Sequence, residues 1–305
     1  MLALVAQFLV PAVLASLSME RNRPDVDDLV RRAVANHLQR ETVRNDYTYL
    51  ARLQWTDFVA RGKSKPRYTE TYEIMFLEGA PYARHITHNG RALPAEQEKL
   101  EDALLQAEAK ARRAGTRGQP GGLLGYELEG KSTWTLQYLT TEFNLHEKGT
   151  SVLNGRQVHI VEALPREKPE HLATALDYAR HFKTTLWIDV TERQIVRAKE
   201  KLIEDNLAIT QSGFTLAYPV TPEDPQISES GKSHVTYVRG SVFIIQWTKV
   251  NGEAWLPEAS YSKGKTTVVF EKPTGELSPR QEFRRDLETT YSDYKKFRVK
   301  SQIIP

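Results

Sequence analysis

From Asp46 onward apolar side chains recur at every second position, with Tyr47, Tyr49, Ala51, Leu53 and Trp55 set against Thr48, Arg52, Gln54 and Thr56. That period predicts a strand with one apolar face. Tyr68, Tyr72, Ile74 and Phe76 repeat the pattern within residues 67–77, and a third strand over 81–87 runs into Asn89-Gly90, a pair suited to the positive φ angles of a type I′ turn. Three consecutive antiparallel strands make a meander. The same alternation returns around Asn154-Gly155, with strands over 143–153 and 157–163, and again in KTTLWIDVTERQIVRAKEKL, residues 183–202, where the polar Thr191-Glu192-Arg193 joins two strands. The last third reads as strands over 234–250, 254–262, 266–270 and 288–304, with the turn Asn251-Gly252 between the first two. The expected total is about eleven strands and three helices.

Helical spacing appears in three places. Val26, Leu29, Val30, Ala33, Val34 and His37 form one stripe behind Asp25, a residue type that caps helix N-termini, and His37 falls at the edge of the core. Residues 94–114 are rich in Ala, Glu, Lys and Leu, and only Leu100, Ala103, Leu104, Ala107 and Ala111 mark a face. Such a helix lies across an opening or packs on a rim. Residues 172–182 read as a short helix, while GTRGQPGG at 115–122 and the segment 218–232, with its three prolines, read as surface loops. Helices inserted at the ends of a long run of antiparallel strands predict a mainly β (α+β) fold. A sheet of this size curls because its strands twist, so an open half-barrel with an N-terminal helix and lid helices is the expected closure.

Composition narrows the partners. The 42 basic and 39 acidic side chains are interleaved along the chain and leave a formal charge of +3. Phosphate neutralisation on the scale that nucleic acid demands is therefore not expected. Residues 2–17, LALVAQFLVPAVLASL, are apolar, uncharged and interrupted by Pro11. At about 16 residues the run falls short of the ~20 that span a bilayer, and with small residues at Ala15 or Ser18 it reads as a secretory signal over 1–18. Residues 19–305 are then one domain carrying an insertion at 93–122, in a mature form that does not span the membrane. With no cysteine in 305 residues, disulfides, thiolate metal sites and an N-terminal lipidated cysteine are excluded.

The chemical motifs are sparse. Gly125-Tyr-Glu-Leu-Glu-Gly130-Lys131-Ser132 fits the phosphate-loop pattern, but no apolar strand precedes it, and Glu127 and Glu129 bring negative charge into the loop. Nucleotide binding there, or an enzyme, is the remote alternative. His85 and His88 have a spacing that on a regular strand points them to opposite faces, against a shared metal. Ser260-x-x-Lys263 and Ser292-x-x-Lys295 lack the companion motifs of acyl-transfer enzymes. Whether Glu73, His85 and Asp189 converge is left open by the pattern. No cofactor or metal is expected, and the chain reads as non-enzymatic.

What stands out is the aromatic content of the strands: Tyr49, Trp55, Phe76, Trp187, Phe243, Trp247, Tyr261 and Phe297. Packing against helices is the plain role for most of them. A curled sheet face lined by such residues also forms a pocket for an apolar ligand, and the first seven are the candidate lining. The segments TLWIDVTERQIVRAKEKL and GSVFIIQWTKVNGEAWLPEASY resemble hairpins of the outer-membrane lipoprotein carrier and receptor superfamily, the LolA/LolB-like half-barrels, and the related MucB/RseB sensor domains. In element order the resemblance covers roughly residues 25–272. It implies a periplasmic protein with an N-terminal helix, an open eleven-stranded sheet, and lid helices over an apolar cavity for acyl chains. The insertion at 93–122 and the loop near Pro222 depart from that pattern. Under this resemblance the partner is a lipid or acylated protein bound by a carrier or chaperone; the alternative is an envelope protein bound by a sensor.

Overall fold

The computed structural model describes residues 25–58, 64–115, 136, 138–167, 181–204, 207–209, 232–271 and 281–296. The expected signal segment 1–18, the phosphate-loop motif at 125–132, Phe297, most of the loops expected at 115–122 and 218–232 and most of the helix expected at 172–182 lie outside them. The element order is α1 (Val26–Arg44), β1 (Tyr47–Phe58), β2 (Ser64–Leu77), β3 (Ala80–His88), β4 (Arg91–Ala92), α2 (Ala95–Arg113), the single turn α3 (Leu139–Glu142), β5 (Phe143–Leu153), β6 (Arg156–Pro165), β7 (Phe182–Asp189), β8 (Ile195–Leu202), β9 (Leu207–Ile209), β10 (Lys232–Tyr237), β11 (Val242–Val250), β12 (Ala254–Glu271) and β13 (Gln281–Lys296).

All the strands belong to one antiparallel sheet, along which eleven follow the order β4-β3-β2-β1-β13-β12-β11-β8-β7-β6-β5, while β10 joins β12 and β9 joins β10. Its two ends, β4 and β5, do not pair, so the sheet is an open half-barrel. Four of the expected turns form: Asn89-Gly90, Asn154-Gly155 and Asn251-Gly252 each place two successive residues at positive φ, as a type I′ turn requires, and in the β7–β8 turn the single residue Arg193 takes a positive φ. In that last turn the Asp189 carboxylate accepts from the backbone N–H groups of Thr191 (2.9 Å) and Glu192 (2.7 Å).

Three strand boundaries differ from the sequence pattern. Residues 234–250 are two strands, because the chain turns at Val238–Ser241, with Gly240 at φ 88°. The strands expected at 254–262 and 266–270 are one, since Ser262-Lys263-Gly264-Lys265 is polar yet keeps its pairing with β13. A side chain at Gly264 would meet the Ser241 hydroxyl at 2.2 Å, so the glycine lets that turn lie against β12. The last described strand spans Gln281–Lys296 and so begins before the expected 288, while residues 297–304 of that expectation lie outside the described residues.

Alternation and register divide the sheet into two faces. The inner face, on which α1 packs through Leu29, Val30, Ala33 and Val34, carries Val161 and Ala163 of β6, Leu186 and Ile188 of β7, and Trp247 of β11. It continues through Tyr291 of β13, the β1 row from Tyr49 to Trp55, and Ile74 of β2. Asp25 caps α1 as expected, its side chain accepting from Asp27 N–H at 3.1 Å. Asn36 fixes the helix across the sheet by donating to the carbonyls of Glu192 and Arg193, both at 3.1 Å. The Glu192 carboxylate in turn takes Lys249 (2.9 Å), Trp255 Nε1 (3.0 Å) and Arg156 (3.2 Å). Burial pushes its pKa up, but these hydrogen bonds and the Lys249 charge outweigh it and hold Glu192 below the usual carboxylate value.

Helix α2 forms where expected, but it docks by a different face. Glu101, Leu105, Glu108 and Arg112 turn toward the sheet, whereas Leu100 and Leu104 of the apolar stripe are 58% and 48% exposed. The reason is polar. Arg112 donates to the carbonyls of Leu77 and Pro81, each at 3.0 Å, and pairs with Glu108 at 2.6 Å. Arg84 pairs with Asp102 at 2.5 Å and Arg113 with Glu78 at 3.0 Å, so the helix is buttoned to the β2–β3 edge by charges.

Candidate functional site

Five of the seven aromatic candidates share the inner face. Tyr49 and Trp55 come from β1 and Phe76 from β2, while Phe243 and Trp247 come from β11. Their burial is uneven: Tyr49, Trp55 and Trp247 are at most 7% exposed and form the floor, whereas Phe76 and Phe243 are half-buried. Trp187 and Tyr261 lie on the opposite face. Trp187 sits opposite Arg197 in the register, with that guanidinium 5.0 Å from its ring centroid. Tyr261 is 44% exposed and donates to Glu288 at 3.2 Å.

The floor is held by ring contacts. Tyr49 meets Tyr291 at 6.0 Å and Tyr294 at 5.6 Å, Trp55 stacks on Tyr68 at 4.7 Å, and Phe243 meets Phe182 edge-on at 5.9 Å. Above the floor α1 presents His37, Arg40 and Arg44. His37 packs edge-on to Trp247 at 5.0 Å, and the Arg40 guanidinium lies 4.6 Å over that indole. Burial, with the Arg40 and Arg44 charges, holds the His37 pKa well below the usual imidazole value, so it stays neutral beside the two arginines. Arg44 lies 5.4 Å over the ring of Phe76.

At the β2–β3 edge the same face carries a polar group that the alternation hides. Glu70 falls in the apolar row of β2, is 5% exposed, and hydrogen-bonds to both His85 and His88, the latter at 2.6 Å from Nδ1. The expectation that these histidines face opposite ways is overturned by a β-bulge. Thr71 pairs with Thr87 but Tyr72 pairs with His85, so Ile86 is the extra residue and both imidazoles reach one face. Tyr72 stacks on His85 at 4.8 Å and Tyr68 on His88 at 6.2 Å.

The hydrogen-bond pattern defines the tautomers. Asn89 Oδ1 accepts from Thr69 N–H (2.9 Å), so Nδ2 donates to His88 Nε2 (2.9 Å), and neutral His88 carries its hydrogen on Nδ1, toward Glu70. A metal on that nitrogen would put the hydrogen on Nε2, facing the Asn89 donor. Among the described residues no group of His, Asp or Glu is arranged to hold a metal ion. Burial lowers the His85 pKa, yet the hydrogen bond and charge of Glu70, the Thr87 carbonyl and Glu101 outweigh it, and the net shift is upward. Glu73, His85 and Asp189 do not converge: Glu73 faces away from His85 toward Arg84, and Asp189 lies at the far end of β7.

Fold and site together define an open antiparallel half-barrel whose inner face is aromatic and roofed by one helix. No family model matches the chain, and no curated protein matches it. The chain is similar in fold to several solved structures. A DUF1329 family protein from Desulfovibrio piger shares 10% identity over 88% of this chain and 92% of its own, with a TM-score of 0.33. For a LolA superfamily protein from Nitrosomonas europaea the values are 9%, 93%, 98% and 0.29. For the Pseudomonas aeruginosa MucA/MucB complex they are 11%, 90%, 100% and 0.25. At such scores the half-barrel assignment stands on this chain's own strand order and register.

Proposed function

We propose that the inner face binds the acyl chain of a lipid or lipoprotein, and that the protein works as a non-enzymatic carrier or chaperone in the periplasm after export by its N-terminal segment. The observation that carries this reading is the aromatic row from β2 to β11, with half-buried Phe76 and Phe243 standing over a buried floor. Each CH₂ taken out of water on such a surface contributes ~0.8 kcal/mol. A chain laid along the row therefore gains affinity with length and needs no catalytic group. Residues 19–305 act as one unit in this reading, with α1 as the movable cover and no cofactor required.

The test is native mass spectrometry with organic extraction on the protein after periplasmic expression. Copurifying lipid should be lost in Phe243→Asp, on the inner face, and kept in Tyr261→Asp, on the outer one. A protein that stays bare even after incubation with acylated peptide would sink the reading. One observation favours a partner-binding protein as the second reading: the outward Leu100 and Leu104 on α2 offer an apolar strip that the sheet does not use.

A further inference from the structure

At the α1 end of the aromatic row two donors have no acceptor among the described residues. Tyr49 is 1% exposed, and among the described residues its hydroxyl has no hydrogen-bond partner. Arg44, the last residue of α1, has its Nε buried and likewise unpartnered, and no described carboxylate pairs with it. Its recorded contact is the face of Phe76, 5.4 Å away. Buried polar groups are almost always satisfied, and a guanidinium cannot escape by losing its proton. Two orphaned donors on one patch therefore mark a place where an acceptor from beyond the described residues would be satisfied.

The two lie together. Tyr49 pairs with Ile74, the neighbour of Phe76 on the same face of β2, and the Arg44 charge acts directly on the Tyr49 phenol. Neighbouring groups do not compete for the site. Tyr294, beside Tyr49, already donates to the Pro257 carbonyl, and Arg40 lies over Trp247 rather than Phe76.

We infer that Arg44 and the Tyr49 hydroxyl form an anion site at the α1 end of the aromatic row, taking the acidic head of an amphiphile whose chain lies on Phe76 and its neighbours. The inference rests on the acyl-binding reading and adds the head group to it: a carboxylate or a phosphate, either of which accepts from a guanidinium and a phenol at once. The aromatic floor supplies affinity that grows with chain length. The anion site sets which end of the ligand enters, and it rejects neutral chains.

The experiment titrates the full chain by intrinsic tryptophan fluorescence with hexadecanoate, hexadecyl phosphate and hexadecanol, at matched ionic strength below micellar concentrations. The expected result is that at least one anion binds ten-fold or more tighter than the alcohol. Arg44→Met, which keeps an apolar stem on Phe76, should bring that anion down to the level of the alcohol. Tyr49→Phe should weaken it several-fold without lowering the Tm of the unliganded protein, since the hydroxyl has no hydrogen-bond partner among the described residues. A preference confined to one anion assigns the site to that head group. Equal binding of acid, phosphate and alcohol, or an anion preference that survives Arg44→Met, overturns the anion site while leaving acyl binding standing. If none of the three binds, both the acyl reading and this inference fall.

Discussion

Thr289 sits in the middle of β13, opposite Leu53 of β1 and Ser260 of β12, with no exposed surface and no partner for its hydroxyl among the described residues. A buried hydroxyl left unpaired opposes folding by ~1–3 kcal/mol, and valine matches its shape. Thr289→Val is therefore expected to raise stability by about 1 kcal/mol in urea unfolding, and a loss would mean that the hydroxyl is bonded after all. His85 has the opposite character, since its raised pKa makes the folded state prefer the proton. Its contribution is then fully present below the unfolded value, about 6.5, and fades as pH rises through the folded one. His85→Gln should cost stability at pH 5 and much less at pH 8; equal losses at both would show that the Glu70 contact acts without the proton. Neither residue announces itself in the sequence. Glu70 interrupts an apolar row and reads as noise, and H-x-x-H on a strand argues against a cluster unless one knows that Ile86 bulges.

Elements were legible where the chemistry is local. The alternation of β1 and the Asn-Gly turns depend on side-chain period and on φ, and both appear as expected. What the pattern cannot carry is which face of an element meets another, because that is settled by partners distant in sequence. Helix α2 is the clearest case: its apolar stripe is the natural docking face, yet Arg112 finds two strand carbonyls at 3.0 Å and turns the helix round. Hydrogen bonds from a charged donor are worth ~1.5–3 kcal/mol each. Arg112→Ala should accordingly free α2, seen as lost hydrogen-exchange protection over Ala95–Arg113 while β5 to β8 keep theirs. Protection lost evenly through the sheet would show instead that the helix is part of the global fold. The aromatic candidates divide for the same reason: period alone assigns Tyr49 and Trp55 to one face, but placing Trp187 and Tyr261 opposite requires the inter-strand register.

For the molecule as a whole, the decisive pairing is the one between its first and last described strands. β1 lies between β2 and β13, and among the described residues β13 is the only strand that bridges the β1–β4 meander to the rest of the sheet path. A chain ending at Glu271 would leave β1 and β12 with open edges in the centre of the sheet rather than at its rim. That chain is expected to lack a cooperative thermal transition, and a normal midpoint would show that the two halves fold separately. The aromatic row crosses this same joint, with Tyr49 and Trp55 on one side of it and Phe243 and Trp247 on the other.

Placing the bridging strand last also sets a clock. A chain emerging N-terminus first exposes the seam edge of β1 early and can close it only when β13 has been delivered, after every other described strand. Until then local hairpins can form and come apart, but nothing locks them together. The polypeptide is thereby kept pliant until Gln281–Lys296 has been delivered, and the arrival of that strand seals the fold.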